Sequence, residues 1–268
     1  MRVSLVTGGA RGIGGATSRL LATRGDHVVV NDLHSEALDR TRADIEAAGG
    51  RCATVLGDIT DEATVRAVVD AALRIDEGRI DVLVNNVGDF RPPNSTFLRS
   101  TPEKWRRLHE LNLLHVFAVT HAVLPHMVER GRGAIVNNST VEAFRGIPGS
   151  AVYSAYNAGV SAFTKSLAVE VGGHGIRVNA VAPDLTDTDQ TPAEAMLRGR
   201  DAALTRTWLP LGRFGRAEEC AAVIAFLASD EASFVTGHTI PVDGGTLAAS
   251  GWYARVDGNG WTNLPDHA

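Results

Sequence analysis

Two cysteines in 268 residues are too few for a disulfide framework. Cys52 and Cys220 lie in apolar or helical surroundings and are expected as buried free thiols. Positive charge is not in excess either: 26 Lys and Arg against 31 Asp and Glu leave a formal net charge of -5. No basic stripe is present, so a nucleic-acid partner is not expected. No uninterrupted apolar run reaches the roughly 18 residues of a membrane-spanning helix, and no charged-then-apolar leader precedes the first strand. The expectation is a cytoplasmic protein without a membrane partner. No metal site is assigned. No linker rich in Pro, Gly or Ser divides the chain, and 44% apolar residues with a mean hydropathy of -0.02 allow one large core.

What the chain does have is alternation. Short apolar runs ending at Leu5–Val6, at 28–31, 53–56, 80–84, 134–137 and 176–181 read as strands. Helical periodicity falls between them, at 15–24, 35–48, 62–77, 102–129 (with a break near Leu113) and 153–171. A further helix at 217–227 and a strand at 239–242 close the pattern. Apolar strands alternating with helices imply a parallel sheet covered on both faces, an α/β fold of the doubly wound Rossmann type in three α/β/α layers. One domain is expected over 1–247. Residues 184–216 break the rhythm with Pro192, Pro210 and Gly212 and intermittent Met196, Leu197, Trp208 and Leu209, which predicts a substrate lid of short helices. The extension 248–268 carries Trp252, Tyr253 and Trp261, aromatic enough to pack on a neighbour or roof a pocket.

The first strand runs straight into Thr7-Gly8-Gly9-Ala10-Arg11-Gly12-Ile13-Gly14, and a helix follows. A glycine turn there brings backbone N–H groups and a helix N-terminus up to a pyrophosphate. Asp32 closes the second strand 24 residues after Gly8, where a carboxylate accepts both adenosine ribose hydroxyls and repels a 2′-phosphate. NAD is therefore favoured over NADP, although Arg11 is placed to reach a phosphate. Asp58, followed by Ile59, is positioned for the adenine amine. Asn85, Asn86 and Gly88 follow the fourth strand, where the backbone is expected to approach the cofactor closely.

Together these segments resemble the short-chain dehydrogenase/reductase family in its compact form, over nearly the whole chain from Arg2 to about Leu247. Asn85-Asn86-Val87-Gly88 is similar to the family's Asn-Asn-Ala-Gly segment, and Asn112 falls on its active-site asparagine. Val181-Ala182-Pro183 with Thr188 resembles the stretch over nicotinamide, Thr188 lying on the carboxamide. The resemblance implies a seven-stranded sheet ordered 3-2-1-4-5-6-7. It also implies tetramers or dimers built through the helices at 102–129 and 153–171. Tyr153 matches the family's proton-transferring tyrosine, and Thr140, 13 residues before it, stands where the family has serine. Asn157 stands where the family has the lysine that lowers the tyrosine pKa and holds the nicotinamide ribose. A neutral amide still hydrogen-bonds ribose but supplies no positive charge. Lys165 is no substitute, being roughly 18 Å farther along the helix.

Around that centre Ser139 is expected to turn away, Tyr156 to point elsewhere, and Glu142 to be a solvated loop carboxylate more readily than a pocket one. Asp184 takes a glycine position of the family pattern and adds charge beside nicotinamide. Three readings remain open. The first is an NAD-dependent oxidoreductase acting on an apolar or cyclic secondary alcohol and its ketone. The second is a non-redox dehydratase, isomerase or cyclase, and the third a catalytically weak NAD-binding protein.

Overall fold

The protein is described by a computed structural model covering residues 1–76, 78–90, 96–255 and 260–262. Its elements follow in chain order as β1 (Val3–Thr7), α1 (Gly12–Thr23), β2 (His27–Asp32), α2 (Ser35–Ala47), β3 (Arg51–Leu56), α3 (Glu62–Leu73) and β4 (Val82–Asn85). Then come α4 (Pro102–His109), a π-turn (Glu110–Leu114), α5 (His115–Arg130), β5 (Gly133–Asn138), α6 (Ala151–Val171) and β6 (Ile176–Pro183). The chain continues with β7 (Thr186–Asp187), α7 (Ala193–Leu197), β8 (Gly215–Arg216), α8 (Ala217–Leu227), β9 (Thr239–Val242), β10 (Tyr253–Ala254) and β11 (Trp261–Thr262).

Seven parallel strands form the main sheet in the order β3-β2-β1-β4-β5-β6-β9, as the sequence pattern implies. Successive strand residues face opposite sides, so the continuous apolar runs split between two cores. Leu5, Leu83, Ile135 and Val178 pack under α3, α5 and α6, where Val68, Val123, Met127 and Leu167 meet them. Val6, Val30, Val84, Val136 and Val181 pack on the other face under α1, α2 and α8, against Leu21, Leu38, Ile45 and Ile224. The strand order reverses between β1 and β4. Ligand clefts of open α/β sheets lie at that switch, beyond the carboxyl ends of the strands.

Several boundaries differ from the sequence expectation for local reasons. Helix α1 starts at Gly12, not Gly15, because the Gly15 N–H already bonds the Arg11 carbonyl at 2.8 Å. Strand β4 starts at Val82, not Ile80: the Asp81 carboxylate takes the Val3 N–H at 2.7 Å, a side chain standing in for ladder pairing. Helix α3 ends at Leu73; its expected end at Glu77 lies outside the described residues. The break near Leu113 is the π-turn between α4 and α5. The continuous helical run Pro102–Arg130 is long and apolar enough to cross a membrane by composition, yet Val116, Val119, Val123 and Met127 face the domain core. Cys220 is buried as expected, whereas Cys52 on the edge strand β3 is only half-buried. Burial pushes both thiols up to about 11.

Between β6 and α8 the segment is built of the parallel pair β7–β8, the short α7 and a 3-10 turn at Ala202–Thr207. Strand β10 pairs antiparallel with β11 and packs against that turn, so the extension reaches the segment between β6 and α8. The rest of the extension, 256–259 and 263–268, lies outside the described residues.

Candidate active site

The glycine turn is close-packed backbone. Gly8 and Gly12 hold left-handed φ of 58° and 50°, and a Cβ on Gly14 would stand 2.1 Å from the Gly8 carbonyl oxygen. Ile13 sits half-buried on the core beneath, and Arg11 is exposed. At the end of β2 the Asp32 carboxylate is 8% exposed and takes the Ala10 and His34 N–H groups, each at 3.2 Å, one on each oxygen. Each oxygen keeps a lone pair for a further donor. Asp58 accepts the Thr60 N–H and hydroxyl at 2.9 and 2.7 Å and faces Arg107 at 3.6 Å. Burial raises its pKa, but Thr60 and Arg107 outweigh that and hold the carboxyl below its usual range.

Two residues expected at the cofactor turn inward. Asn85 is fully buried, its amide donating to Thr120 and to Asn137 at 3.1 and 2.9 Å. Alternation along β4 sends it toward α5, so only its backbone can line the groove. Ile59 likewise belongs to the core beside Val65 and Val68. Asn86 faces the turn, donating to the Thr7 and Gly8 carbonyls and accepting from Asn138 at 3.2 Å. Asn138 precedes Ser139 and Thr140, so this bond ties the glycine turn to the second half of the site.

That half gathers Asn112, Thr140, Tyr153 and Asn157. The π-turn carries Asn112, whose amide donates to Asp89 and Leu108 carbonyls at 2.9 Å each while its oxygen accepts the Asp89 N–H at 3.1 Å. π-turns inside helices commonly mark such sites. The Asn112 oxygen also stands 3.4 Å from where a Gly88 Cβ would be. Thr140 lies two residues past the end of β5, capping the next turn, and donates to the Pro183 carbonyl at 3.4 Å. The Tyr153 phenol hydrogen-bonds the Thr140 hydroxyl, and its ring packs T-shaped with Phe90, centroids 6.4 Å apart. Burial raises its pKa to about 12, with Glu142 and Asp89 pushing the same way and Thr140 opposing them. Among the described residues no cation offsets that shift. Asn157, 4% exposed, donates to the Tyr153 main-chain carbonyl at 3.1 Å. Ser139 turns to α6, bonding the Asn157 carbonyl at 3.1 Å and Ser161. Tyr156 packs on His109, and Lys165 is exposed.

Glu142 corrects the expectation of a solvated carboxylate: its side chain is 10% exposed. Its partner Arg145, three residues on, bonds both Glu142 at 3.1 Å and Asp184 at 2.8 Å, and Asp184 also accepts from Thr246. Burial raises the Glu142 pKa against the pull of Arg145. The charge that Asp184 adds is thus held by a guanidinium and a hydroxyl. Arg145 and Thr246 carry no motif of their own, and only the three-residue spacing of Arg145 from Glu142 hints at the pairing.

The segment between β6 and α8 packs against the first half. Thr188 lies against Gly12, within 3.4 Å of a Cβ built there, and Gln190 donates to the Gly88 carbonyl at 3.1 Å. A cavity of about 350 Å³ lies between the glycine turn, α2 and this segment, lined among others by Arg11, Gly12, Arg40, Asp44, Thr188 and Asp189. A side-chain-free cradle and a buried carboxylate with lone pairs to spare are what a dinucleotide's pyrophosphate and ribose require, so the residues present fit that group.

The comparisons agree with this geometry. Residues 8–246 match the family model described as enoyl-(acyl carrier protein) reductase. The chain belongs to the short-chain dehydrogenase/reductase family and is an enzyme of that type, with a nicotinamide cofactor. A 3-oxoacyl-[acyl-carrier-protein] reductase of Thermotoga maritima is 43% identical over 92% of this chain and 98% of its own. A cis-4-hydroxycyclohexanecarboxylate dehydrogenase of Sinomonas cyclohexanicum is 45% identical over 92% and 97%. Among solved structures, levodione reductase superposes with a TM-score of 0.86 at 36% identity, covering 92% of this chain and 98% of that one. A 3-oxoacyl-[acyl-carrier protein] reductase with bound NAD from Brucella melitensis gives 0.82 at 35%, covering 92% and 91%.

Proposed function

We propose that this enzyme interconverts an apolar or cyclic secondary alcohol and its ketone with NAD, Tyr153 moving the proton. The observation that carries the reading is the hydrogen bond between the Tyr153 phenol and the Thr140 hydroxyl, held by Asn86 and Asn138 to the glycine turn. Thr140 and Tyr153 would grip the substrate oxygen from two sides. Bound at the glycine turn, the cofactor supplies the hydride acceptor for oxidation and the donor for reduction. In oxidation the Tyr153 oxygen takes the hydroxyl proton; in reduction it returns one to the carbonyl oxygen. Asn112 fixes the Asp89 backbone beside the cleft, and Asn157 offers its amide oxygen to a ribose hydroxyl. Gly8, Gly12 and Gly14 would cradle the pyrophosphate, Asp32 the adenosine ribose, and Thr188 with Pro183 the nicotinamide end.

The preference for NAD rests on Asp32, a buried carboxylate that a 2′-phosphate would have to approach. The cyclic substrate class draws on the names of two relatives, cis-4-hydroxycyclohexanecarboxylate dehydrogenase and levodione reductase. Assembly as a homotetramer or homodimer through α4, α5 and α6 is supported by exposed Leu114, on the π-turn joining α4 to α5, and exposed Val169 on α6.

One observation favours a second reading. With its phenol held neutral and no lysine beside it, Tyr153 also suits acid catalysis of a non-redox dehydration or isomerisation. The deciding experiment incubates the protein with NAD and a panel of cyclic secondary alcohols and follows absorbance at 340 nm. Stoichiometric NADH with ketone supports the oxidoreductase. Product without net NADH supports the second reading, and tight NAD binding without any turnover supports a binding protein.

A further inference from the structure

Three threonines after β6 form a one-way chain of hydrogen bonds. Thr191 donates its only hydroxyl proton to the Thr186 carbonyl at 2.7 Å, a group that cannot donate in return. In the 2.9 Å contact between the Thr188 and Thr191 hydroxyls, Thr188 is therefore the donor. The Thr191 N–H also bonds the Thr188 hydroxyl oxygen at 3.2 Å. The Thr188 proton is thus committed, and its oxygen keeps one lone pair for a further partner. Toward anything that enters the site, Thr188 is an acceptor only.

Its position says what enters. Thr188 is half-buried, lines the cavity beside the glycine turn, and holds its oxygen 4.0 Å from where a Gly12 Cβ would stand. A pyrophosphate offers only acceptor oxygens, so it gains nothing from a hydroxyl that cannot donate. Asp187 and Asp189 flank Thr188 in the same cavity lining and further disfavour an anion there. The cavity's arginines, Arg11, Arg19 and Arg40, stand instead on the glycine turn, α1 and α2. A dinucleotide has two NH2 donors, the adenine amine and the nicotinamide carboxamide. Thr188 follows shortly after Pro183, whose carbonyl takes the Thr140 hydroxyl beside the Tyr153 phenol. The donor within its reach is the carboxamide, at the hydride-transfer end.

We propose that Thr191 is a positioning residue that fixes the Thr188 hydroxyl as an acceptor for the carboxamide N–H of the dinucleotide. This rests on the proposed placement of the nicotinamide end at Thr188 and Pro183, and it names the residue that sets the polarity of that contact. Thr191 acts through Thr188 and takes no part in proton or hydride transfer.

The test is a calorimetric titration with NADH and with reduced 3-acetylpyridine adenine dinucleotide, whose acetyl group keeps the carbonyl and replaces the NH2 by methyl. Wild-type protein should bind NADH tighter by about 3- to 10-fold, the worth of one neutral hydrogen bond. Thr191→Val leaves the Thr188 proton free to turn outward, and the preference should fall below about twofold. Thr191→Ala should do the same, and Thr191→Ser, which keeps the hydroxyl, should restore the preference. Thr188→Val removes the acceptor and should also abolish it. A segment that Thr191→Val only loosens would bind both dinucleotides more weakly in an unchanged ratio, which would overturn the role of Thr191. Equal binding of the two by wild-type protein would overturn the acceptor assignment while leaving dinucleotide binding intact. Binding of neither would sink the underlying reading as well.

Discussion

The Asn157 side-chain amide donates to the main-chain carbonyl of Tyr153, 3.1 Å away and one turn back along α6. The residue that follows the tyrosine by one turn therefore braces the helix and leaves the phenol's charge unaided. Tyr153 is half-buried, faces two carboxylates at longer range, and has its pKa raised to about 12. At neutral pH the phenolate needed for alcohol oxidation is roughly 100-fold rarer than for a phenol at its ordinary pKa.

Asn157→Lys supplies the missing charge. An ammonium within about 4–6 Å favours phenolate and lowers the phenol pKa by roughly 1–3 units. Alcohol oxidation at pH 7 should rise by about tenfold or more, with the alkaline limb of the pH–rate profile moving down by at least a unit. A fall in kcat at every pH would show that the asparagine is itself required.

Asp32 sets the choice of dinucleotide. Asp32→Ser should weaken NADH binding by roughly tenfold, the worth of a charge-assisted hydrogen bond, and bring NADPH closer to NADH. Fluorescence titration with the two reduced dinucleotides reads this directly. Wild-type protein that binds both equally would contradict the role assigned to the carboxylate. Because Asp32 also holds the Ala10 and His34 N–H groups, the variant should melt at a lower temperature.

His115, directly after the π-turn, is fully buried, and neither ring nitrogen has a well-aligned partner. Burial lowers its pKa from 6.5 to about 4, against the pull of the Val87 and Leu111 carbonyls and the Asp58 carboxylate. The unfolded chain therefore binds a proton that the native protein refuses between those values. Stability is fully present above pH 6.5 and falls as pH drops toward 4, by about 3 kcal/mol from this residue. His115→Leu should flatten the loss of Tm between pH 7 and 4.5. An equal loss in both proteins would rule the histidine out.

The sheet and the glycine turn were legible because their signals are local. Continuous apolar runs and period-3.6 patterns mark the elements, Gly8 and Gly12 hold left-handed φ, and Gly14 has no room for a Cβ. The seven-strand order came from family resemblance, and the sheet follows it. Tyr153, Thr140 and Asn112 were matched through the family resemblance, and the fold brings the first two together on either side of one hydrogen bond. Side-chain direction was less legible. Asn85 and Asn86 are neighbours with one composition, yet one lies in the core and the other on the turn. Glu142 read as a solvated loop residue because its burial depends on Arg145 and on Asp184, 39 residues past Arg145 in sequence. No period or spacing records a contact between two loops.

The central claim is that the Tyr153 phenol moves the substrate proton without a neighbouring cation. The most direct measurement is kcat/KM for alcohol oxidation from pH 6 to 10 in wild-type and Tyr153→Phe. The wild-type rate should climb with pH throughout, with no plateau below pH 10. Tyr153→Phe should be slower by about 100- to 10,000-fold and nearly flat, while still binding NADH. A wild-type plateau reached below pH 8, or a phenylalanine variant as fast as wild type, would contradict it.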